Sequence, residues 1–341
     1  MPAPARRALV TGVTGYVGSR LAPALLRRGW RVRVLTRHPD RVARRDWGGP
    51  LEVVAGDASR PDDLARACAG VDVAYYLLHS MDGRDGFPRR DRELAWHFAH
   101  AVAEAGVGRV VYLSGLHPPH GPLSEHLASR VEVGQLLLGS EVPTAVLQAA
   151  VVVGAGSASF ELLRHLGRLL PVVPSAGWLD TRVQPIAVGD LLAYLTGAAD
   201  LPPGISRTFD VGGPEVLTYR EMLARFAALA GRPRPVTVPV PGLTPALAGP
   251  WAGRLTPVPE GLVRALVGSL PHEVVCRERD LDGLLPDPPA PPTPFDVAVR
   301  AALTDPGTPR PEPGRADPAV LHAGDPGWAG PRPAVEEPAD Q

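Results

Sequence analysis

Three observations predict an α/β fold with a parallel, doubly wound sheet. Short apolar runs alternate with amphipathic segments through residues 1–154. A glycine-rich turn, Thr11-Gly12-Val13-Thr14-Gly15-Tyr16-Val17-Gly18, joins the first run to the first amphipathic segment. Strand alternating with helix at this spacing requires crossover connections, and crossovers make strands parallel.

The elements follow in order. Arg7–Thr11 is a strand that ends at Gly12, and Val17, Leu21, Leu25 and Leu26 then recur at helical spacing until Gly29. Residues 31–35 form a second strand and residues 51–54 a third, closed by the polar turn Gly56-Asp57. Residues 61–69 open with Pro61, Asp62 and Asp63, residues suited to the positive end of a helix. A strand at 73–78, a helix at 94–105, a strand at 109–113, a helix at 124–138 and a strand at 144–153 complete a dinucleotide-binding core over 1–154. The alternation then loosens. A helix at 190–199, a strand at 207–211 and a helix from Thr218 to Ala230 are expected, the last with Thr218 and Glu221 as a capping box. Residues 155–303 are expected to pack on the core as a smaller substrate-side subdomain. Residues 286–294 are too rich in proline for helix or central strand, and 295–303 suit one last short helix. From Thr304 to Gln341 the chain is rich in Pro, Gly and charge, and a disordered tail is expected.

Composition narrows the function. The 341 residues are 45% hydrophobic and 21% charged, with a net charge of -1. That balance disfavours electrostatic capture of nucleic acid. Cys68 and Cys276 are the only cysteines, which excludes a disulfide framework and a four-cysteine zinc site. No apolar run approaches the roughly 18 residues of a membrane span. The N-terminal stretch reads as strand and turn, so a cytoplasmic protein is expected. The chain has no lysine, which excludes a Schiff-base lysine and a P-loop lysine.

The glycine turn carries the clearest chemical signal. Gly12 permits the tight turn, Gly15 lets the backbone approach a pyrophosphate, and Gly18 lets the helix pack on the strand. The helix N-terminus faces the phosphates. These are the features of a Rossmann dinucleotide site, with Thr11, Thr14, Tyr16 and Val17 completing the loop. After the second strand stand Thr36-Arg37, where an NAD site tends to carry an acid. A guanidinium matches a 2′-phosphate, so NADP(H) is expected over NAD, although a solvated surface arginine is the plain alternative. Asp57 and Ala58, after the third strand, suit the adenine side, with an ordinary turn as the alternative.

With these residues the chain resembles the short-chain dehydrogenase/reductase superfamily, in its atypical or extended branch of NmrA-like NAD(P)H-binding proteins. The glycine loop, Gly56-Asp57, Val73–Leu78, Val111–Gly115, Val183–Asp190 and Thr208–Pro214 match in order, over about residues 6–303. The resemblance implies that Leu78 and His79 lie near the cofactor and Ser114 beside the nicotinamide. It also exposes a departure. Where the superfamily has Tyr-x-x-x-Lys, this chain has His126-Leu127-Ala128-Ser129-Arg130. Ser114, His126 and Arg130 are then the candidate catalytic residues. His126, as an imidazolium near neutral pH, would supply the proton and Arg130 would hold the ribose, while the Arg130 charge should lower the fraction of His126 that is protonated. The alternative leaves His126 on the helix surface and Arg130 as a ribose or phosphate contact. His117, His120, Glu125 and His126 lie close in sequence but match no strong metal motif, and no metal is expected.

Three functions are compatible with these residues. One is an NADP-dependent oxidoreductase acting on a small carbonyl, quinone or enone compound. The second is a non-catalytic NADP(H)-responsive sensor with a protein partner. The third, a sugar-nucleotide epimerase or dehydratase, is weakened by the missing Tyr and Lys.

Overall fold

The computed structural model describes residues 5–79, 87–169, 172–175, 177–285, 290–307 and 309–330. The strands β1 (Arg7–Thr11), β2 (Arg31–Thr36), β3 (Leu51–Ala55), β4 (Val73–Tyr76), β5 (Arg109–Gly115) and β6 (Thr144–Ala149) alternate with helices α1 (Tyr16–Arg27), α2 (Pro39–Ala43), α3 (Pro61–Cys68), α4 (Phe87–Glu104) and α5 (Glu125–Leu138). The remaining elements are β7 (Val152–Val153), α6 (Ala158–Leu169), β8 (Val172–Ser175), β9 (Arg182–Val183), β10 (Ile186–Ala187), α7 (Val188–Gly197), β11 (Arg207–Val211), β12 (Leu217–Thr218), α8 (Tyr219–Leu229), β13 (Val236–Pro239), α9 (Pro245–Leu255), α10 (Glu260–Ser269), α11 (Asp280–Leu284) and α12 (Phe295–Leu303).

Seven strands form one sheet in the order β11-β6-β5-β4-β1-β2-β3, every pair parallel. The direction of winding reverses between β1 and β4, and a crevice opens there at the carboxyl edge. The sheet is buried on both faces. One face packs on α1 and α7 through Leu21, Leu25, Leu191 and Leu195, the other on α3, α4 and α5 through Leu64, Phe98 and Val133.

The C-terminal part returns β11 to the edge of this sheet and sets α6, α8, α9, α10 and α12 above its carboxyl edge. The capping box of α8 forms as expected, with the Thr218 hydroxyl accepting from the Glu221 amide at 3.1 Å and Glu221 accepting from the Thr218 amide at 2.7 Å. The sixth strand is shorter than 144–153. It stops at Ala149, and Val152–Val153 pair separately with Ile186–Ala187.

The chain beyond Thr304 corrects an expectation. Residues 304–307 and 309–330 are ordered against the body, while 331–341 lie outside the described residues. The cause is a buried charge on α1. Arg20 holds Asp325 in a two-armed ion pair, at 3.1 Å through Nη1 and 2.8 Å through Nη2, and also donates to the carbonyls of Pro318, Val320 and Ala155. Glu161 on α6, fully buried, accepts from the Gly330 amide at 2.9 Å. Val320, Leu321 and Ala329 are buried alongside. Low apolar content suggests disorder only where no buried charge elsewhere needs a partner.

Candidate active site

The glycine turn adopts the geometry its residues imply. Gly12 has φ +72°, open to glycine, and a Cβ there would meet the Leu77 carbonyl oxygen at 2.8 Å. A Cβ on Gly18 would strike the Gly12 carbonyl. A Cβ on Gly15 would meet the Gly12 oxygen at 3.2 Å, a tight contact, and Gly15 lines a cavity. Gly15 is the N-cap of α1 and offers no side chain, so the first-turn amides keep no side-chain cap. Anions bind such helix starts. The Tyr16 hydroxyl is buried without a partner beside Gly154, and burial raises its pKa. The uncapped helix start is a cradle that fits a dinucleotide diphosphate.

This cradle is one end of a cavity of about 1030 Å³. Gly12, Thr14, Gly15, Tyr16, Val17 and Gly18 line it, and so do His79, Ser114, His126 and Arg130. The structure thus brings the three candidate catalytic residues and most of the cofactor loop to one place. Five expected cofactor residues fall outside the lining. The Thr11 hydroxyl is buried in the sheet, donating to the Tyr75 carbonyl at 2.9 Å and accepting from the Leu77 amide at 3.1 Å. Leu78 turns into the core beneath α3 and α4, and Leu77 lines the cavity in its place. Arg37, Asp57 and Ala58 stand just past the carboxyl ends of β2 and β3. Arg37 is exposed with no ion pair among the described residues, while Asp57 accepts from the Ser59 amide at 2.9 Å in a local turn.

Behind His126 lies an arrangement that the sequence reading missed. His126 Nδ1 is 3.2 Å from His79 Nε2, and His79 Nδ1 is 3.0 Å from Asp91 Oδ2. Ser129 also donates to Asp91, at 3.2 Å. A carboxylate only accepts, so His79 Nδ1 carries a proton toward Asp91. Asp91 was hidden because α4 starts at Phe87 rather than near Leu94. Its signal was nevertheless present, since Asp91, Ala95, Phe98 and Val102 share the buried face of that helix.

The electrostatics correct a second expectation. Burial first, then Arg130 and His79, push the His126 pKa down to about 2. Burial and Arg130 push His79 down to about 4, against the pull of Asp91. His126 is therefore a neutral imidazole at neutral pH, not the imidazolium expected from its free pKa. Arg130 is tied back, donating to the Leu113 carbonyl at 3.1 Å, and the Ser114 hydroxyl donates to the Arg130 carbonyl at 3.4 Å. His117 faces its neighbour, 2.9 Å from the Pro118 carbonyl.

The profile of the NAD(P)H-binding family matches residues 12–136. A ceramide reductase from Caulobacter vibrioides is 30% identical over 264 residues, covering 75% of this chain and 82% of its own. A (4-alkanoyl-5-oxo-2,5-dihydrofuran-3-yl)methyl phosphate reductase from Streptomyces griseus is 30% identical over 226 residues, covering 66% of this chain and 74% of its own. Among solved structures, a nucleoside-diphosphate-sugar epimerase from Staphylococcus aureus shares the fold with a TM-score of 0.68 at 14% identity, over 86% of this chain and 99% of that one. The chain belongs to the NAD(P)H-binding family. It is an oxidoreductase-type member, and its Caulobacter and Streptomyces relatives are reductases. Among the described residues no helix is long and apolar enough to cross a membrane.

Proposed function

We propose that this protein is an NADP(H)-dependent reductase of a carbonyl group, with His126 as the proton donor. The observation that carries this reading is the Asp91–His79–His126 chain ending in the cavity that also holds the glycine cradle. The cradle at Gly12–Gly18 would hold the dinucleotide diphosphate. Arg37, exposed and without an ion pair among the described residues, would suit a 2′-phosphate and so favour NADP(H) over NAD(H). When bound, NADPH would supply the hydride, so that ketone, NADPH and a proton become alcohol and NADP⁺.

The chain's own residues handle the proton. Ser114 would turn its hydroxyl from the Arg130 carbonyl to the substrate oxygen. At rest His79 Nδ1–H faces the Asp91 carboxylate, so His126 donates Nδ1–H to His79 Nε2 and turns a bare Nε2 to the cavity. A proton from solvent first loads the relay: the Asp91 carboxyl then donates to His79 Nδ1, His79 Nε2–H to His126 Nδ1, and His126 Nε2–H faces the substrate oxygen. Turnover passes one proton along each bond to the new alkoxide and returns the relay to rest, with both imidazoles neutral throughout and only Asp91 changing charge. That sequence suits a site in which a free imidazolium is disfavoured by burial and by Arg130.

The test is NADPH oxidation across a panel of ketones, quinones and enones, with wild type and His126→Phe. The variant should lose about 10²-fold or more in kcat and keep its NADPH affinity. Wild-type protein that binds NADPH tightly and oxidises it with none of the panel would reject the reading in favour of a binding protein.

A further inference from the structure

Away from the cofactor cradle the same cavity changes character. Its walls there come from α6, α9 and α10, each of which turns an apolar stripe inward. Leu162 and Leu166 do so on α6, Leu247 and Trp251 on α9, Leu262 and Leu266 on α10. In each helix the pair is four residues apart and shares one face. The helices reach one another through small residues behind these stripes: Ala248, Ala252, Val263 and Val267 are buried between them. The leucines are left to line the space.

The two serines of these helices that line the cavity are already engaged. The Ser159 hydroxyl lies 3.1 Å from Ser157, and Ser269 donates to the Ala265 carbonyl at 3.0 Å. Among the described lining residues the charged groups are Arg130 and Asp325, and Asp325 is held by Arg20. A sugar nucleotide needs several cationic or hydrogen-bonding groups for its diphosphate and hydroxyls. The described residues of these three helices offer the cavity no cation and, as hydroxyls, only those of Ser159 and Ser269, both engaged. The far end is open. Leu247 is 64% exposed and Trp251 is 41% exposed, yet both line the cavity. Val236, Val238 and Val240 are exposed on the segment just before α9. Apolar side chains held at a rim leading into an apolar interior mark an entry for an apolar ligand.

We infer that this half of the cavity takes the aliphatic chain of a long-chain carbonyl compound. The carbonyl then sits at Ser114 and His126, and the chain runs between α6, α9 and α10 toward the Leu247–Trp251 rim. Branched leucine side chains make a ribbed wall that a flexible chain follows, whereas a rigid ring system needs a flat slot. The inference rests on the reductase reading for the position of the carbonyl, but the chain-binding part stands apart from turnover.

The test is a titration of the full-length protein, with NADPH present, using 2-alkanones of six to twelve carbons. Calorimetry reads affinity and absorbance reads NADPH oxidation. Affinity should rise about fourfold for each added methylene, as burial of one CH₂ dictates. In Leu266→Trp, which narrows the passage, the ratio of twelve-carbon to six-carbon affinity should fall tenfold or more. A flat wild-type series, or tighter binding of a rigid polycyclic ketone of equal carbon number, would overturn the inference. If Leu266→Trp fails to fold, the wild-type series still decides. Rising affinity without NADPH oxidation would sink the reductase reading and keep the chain site. Oxidation with no dependence on chain length would do the reverse.

Discussion

Replacing Asp325 by alanine should destabilise the whole protein, although the residue lies in a proline- and glycine-rich segment. Asp325 pairs with Arg20 through both carboxylate oxygens, and the two side chains are 4% and 0% exposed. The substitution leaves a guanidinium buried on α1 with only carbonyls and the Ser19 hydroxyl as acceptors. Breaking a buried pair from one side costs about 3–5 kcal/mol. At about 2–3 °C per kcal/mol for a chain of this length, the thermal midpoint should fall by roughly 6–15 °C. Deleting everything after Thr304 should cost at least as much, because it also removes the Gly330 amide from Glu161 and the buried Val320 and Leu321. Calorimetry at neutral pH measures both. The loss should persist at high salt, unlike that of the exposed Arg315–Asp46 pair, because salt screens buried charges little. A midpoint within about 2 °C of wild type for Asp325→Ala, against the roughly 6–15 °C expected, would refute the argument that the buried guanidinium orders this segment.

Other outcomes follow from the site. Arg37→Ala should weaken NADPH about tenfold or more and leave NADH little changed, measured by calorimetry; equal affinity of the wild type for both cofactors would remove the basis for this. Asp91→Asn should lower kcat by at least about tenfold with NADPH affinity unchanged, since an amide cannot be the acid at the end of the relay. In the wild type, kcat should show no inflection near pH 6.5, because neither His79 nor His126 titrates there. Stability has its own pH dependence. His79, His126 and His322, neutral when folded down to about 4, about 2 and about 4, are protonated below about 6.5 when unfolded. The unfolded chain then binds more protons, so stability should fall as pH drops from about 6.5 toward 4, by up to about 2 kcal/mol per histidine at pH 5. Equal urea midpoints at pH 7 and pH 5 would contradict the burial of these rings.

The core was readable because its constraints are local. Gly12, Gly15 and Gly18 follow β1 in sequence and act at its end, and each strand of the sheet is a short apolar run. The roof over the site was not. Residues 245–255 contain Pro245, Gly249, Pro250 and Gly253, which weigh against a helix on propensity. In the structure those small residues let α9 approach α10, with the Gly249 position 3.4 Å from the Arg264 Cα, and packing outweighs propensity. Leu77 and Leu78 differ only in which side of the sheet they face, and a one-residue offset exchanges those sides. Asp325 acts on a partner 305 residues away, Arg20, so no local pattern around it could reveal it, while the signal for Asp91, twelve residues from His79, was only its place on the buried face of α4.

The departure from Tyr-x-x-x-Lys also finds a physical account. A lysine beside a tyrosine stabilises the phenolate and so makes the phenol a usable acid. This chain has no lysine, and the arginine that replaces it stands one turn from His126 as a permanent cation. Beside that cation, and buried, His126 holds no resting proton beyond its neutral complement. A donor in this position must therefore be resupplied as it gives its proton away. His79 and Asp91 offer that supply through two hydrogen bonds, and they place the change of charge on a carboxyl group remote from the cavity. The cation at Arg130 and the relay behind His126 are then parts of one arrangement, since the first makes an imidazolium unfavourable and the second makes it unnecessary.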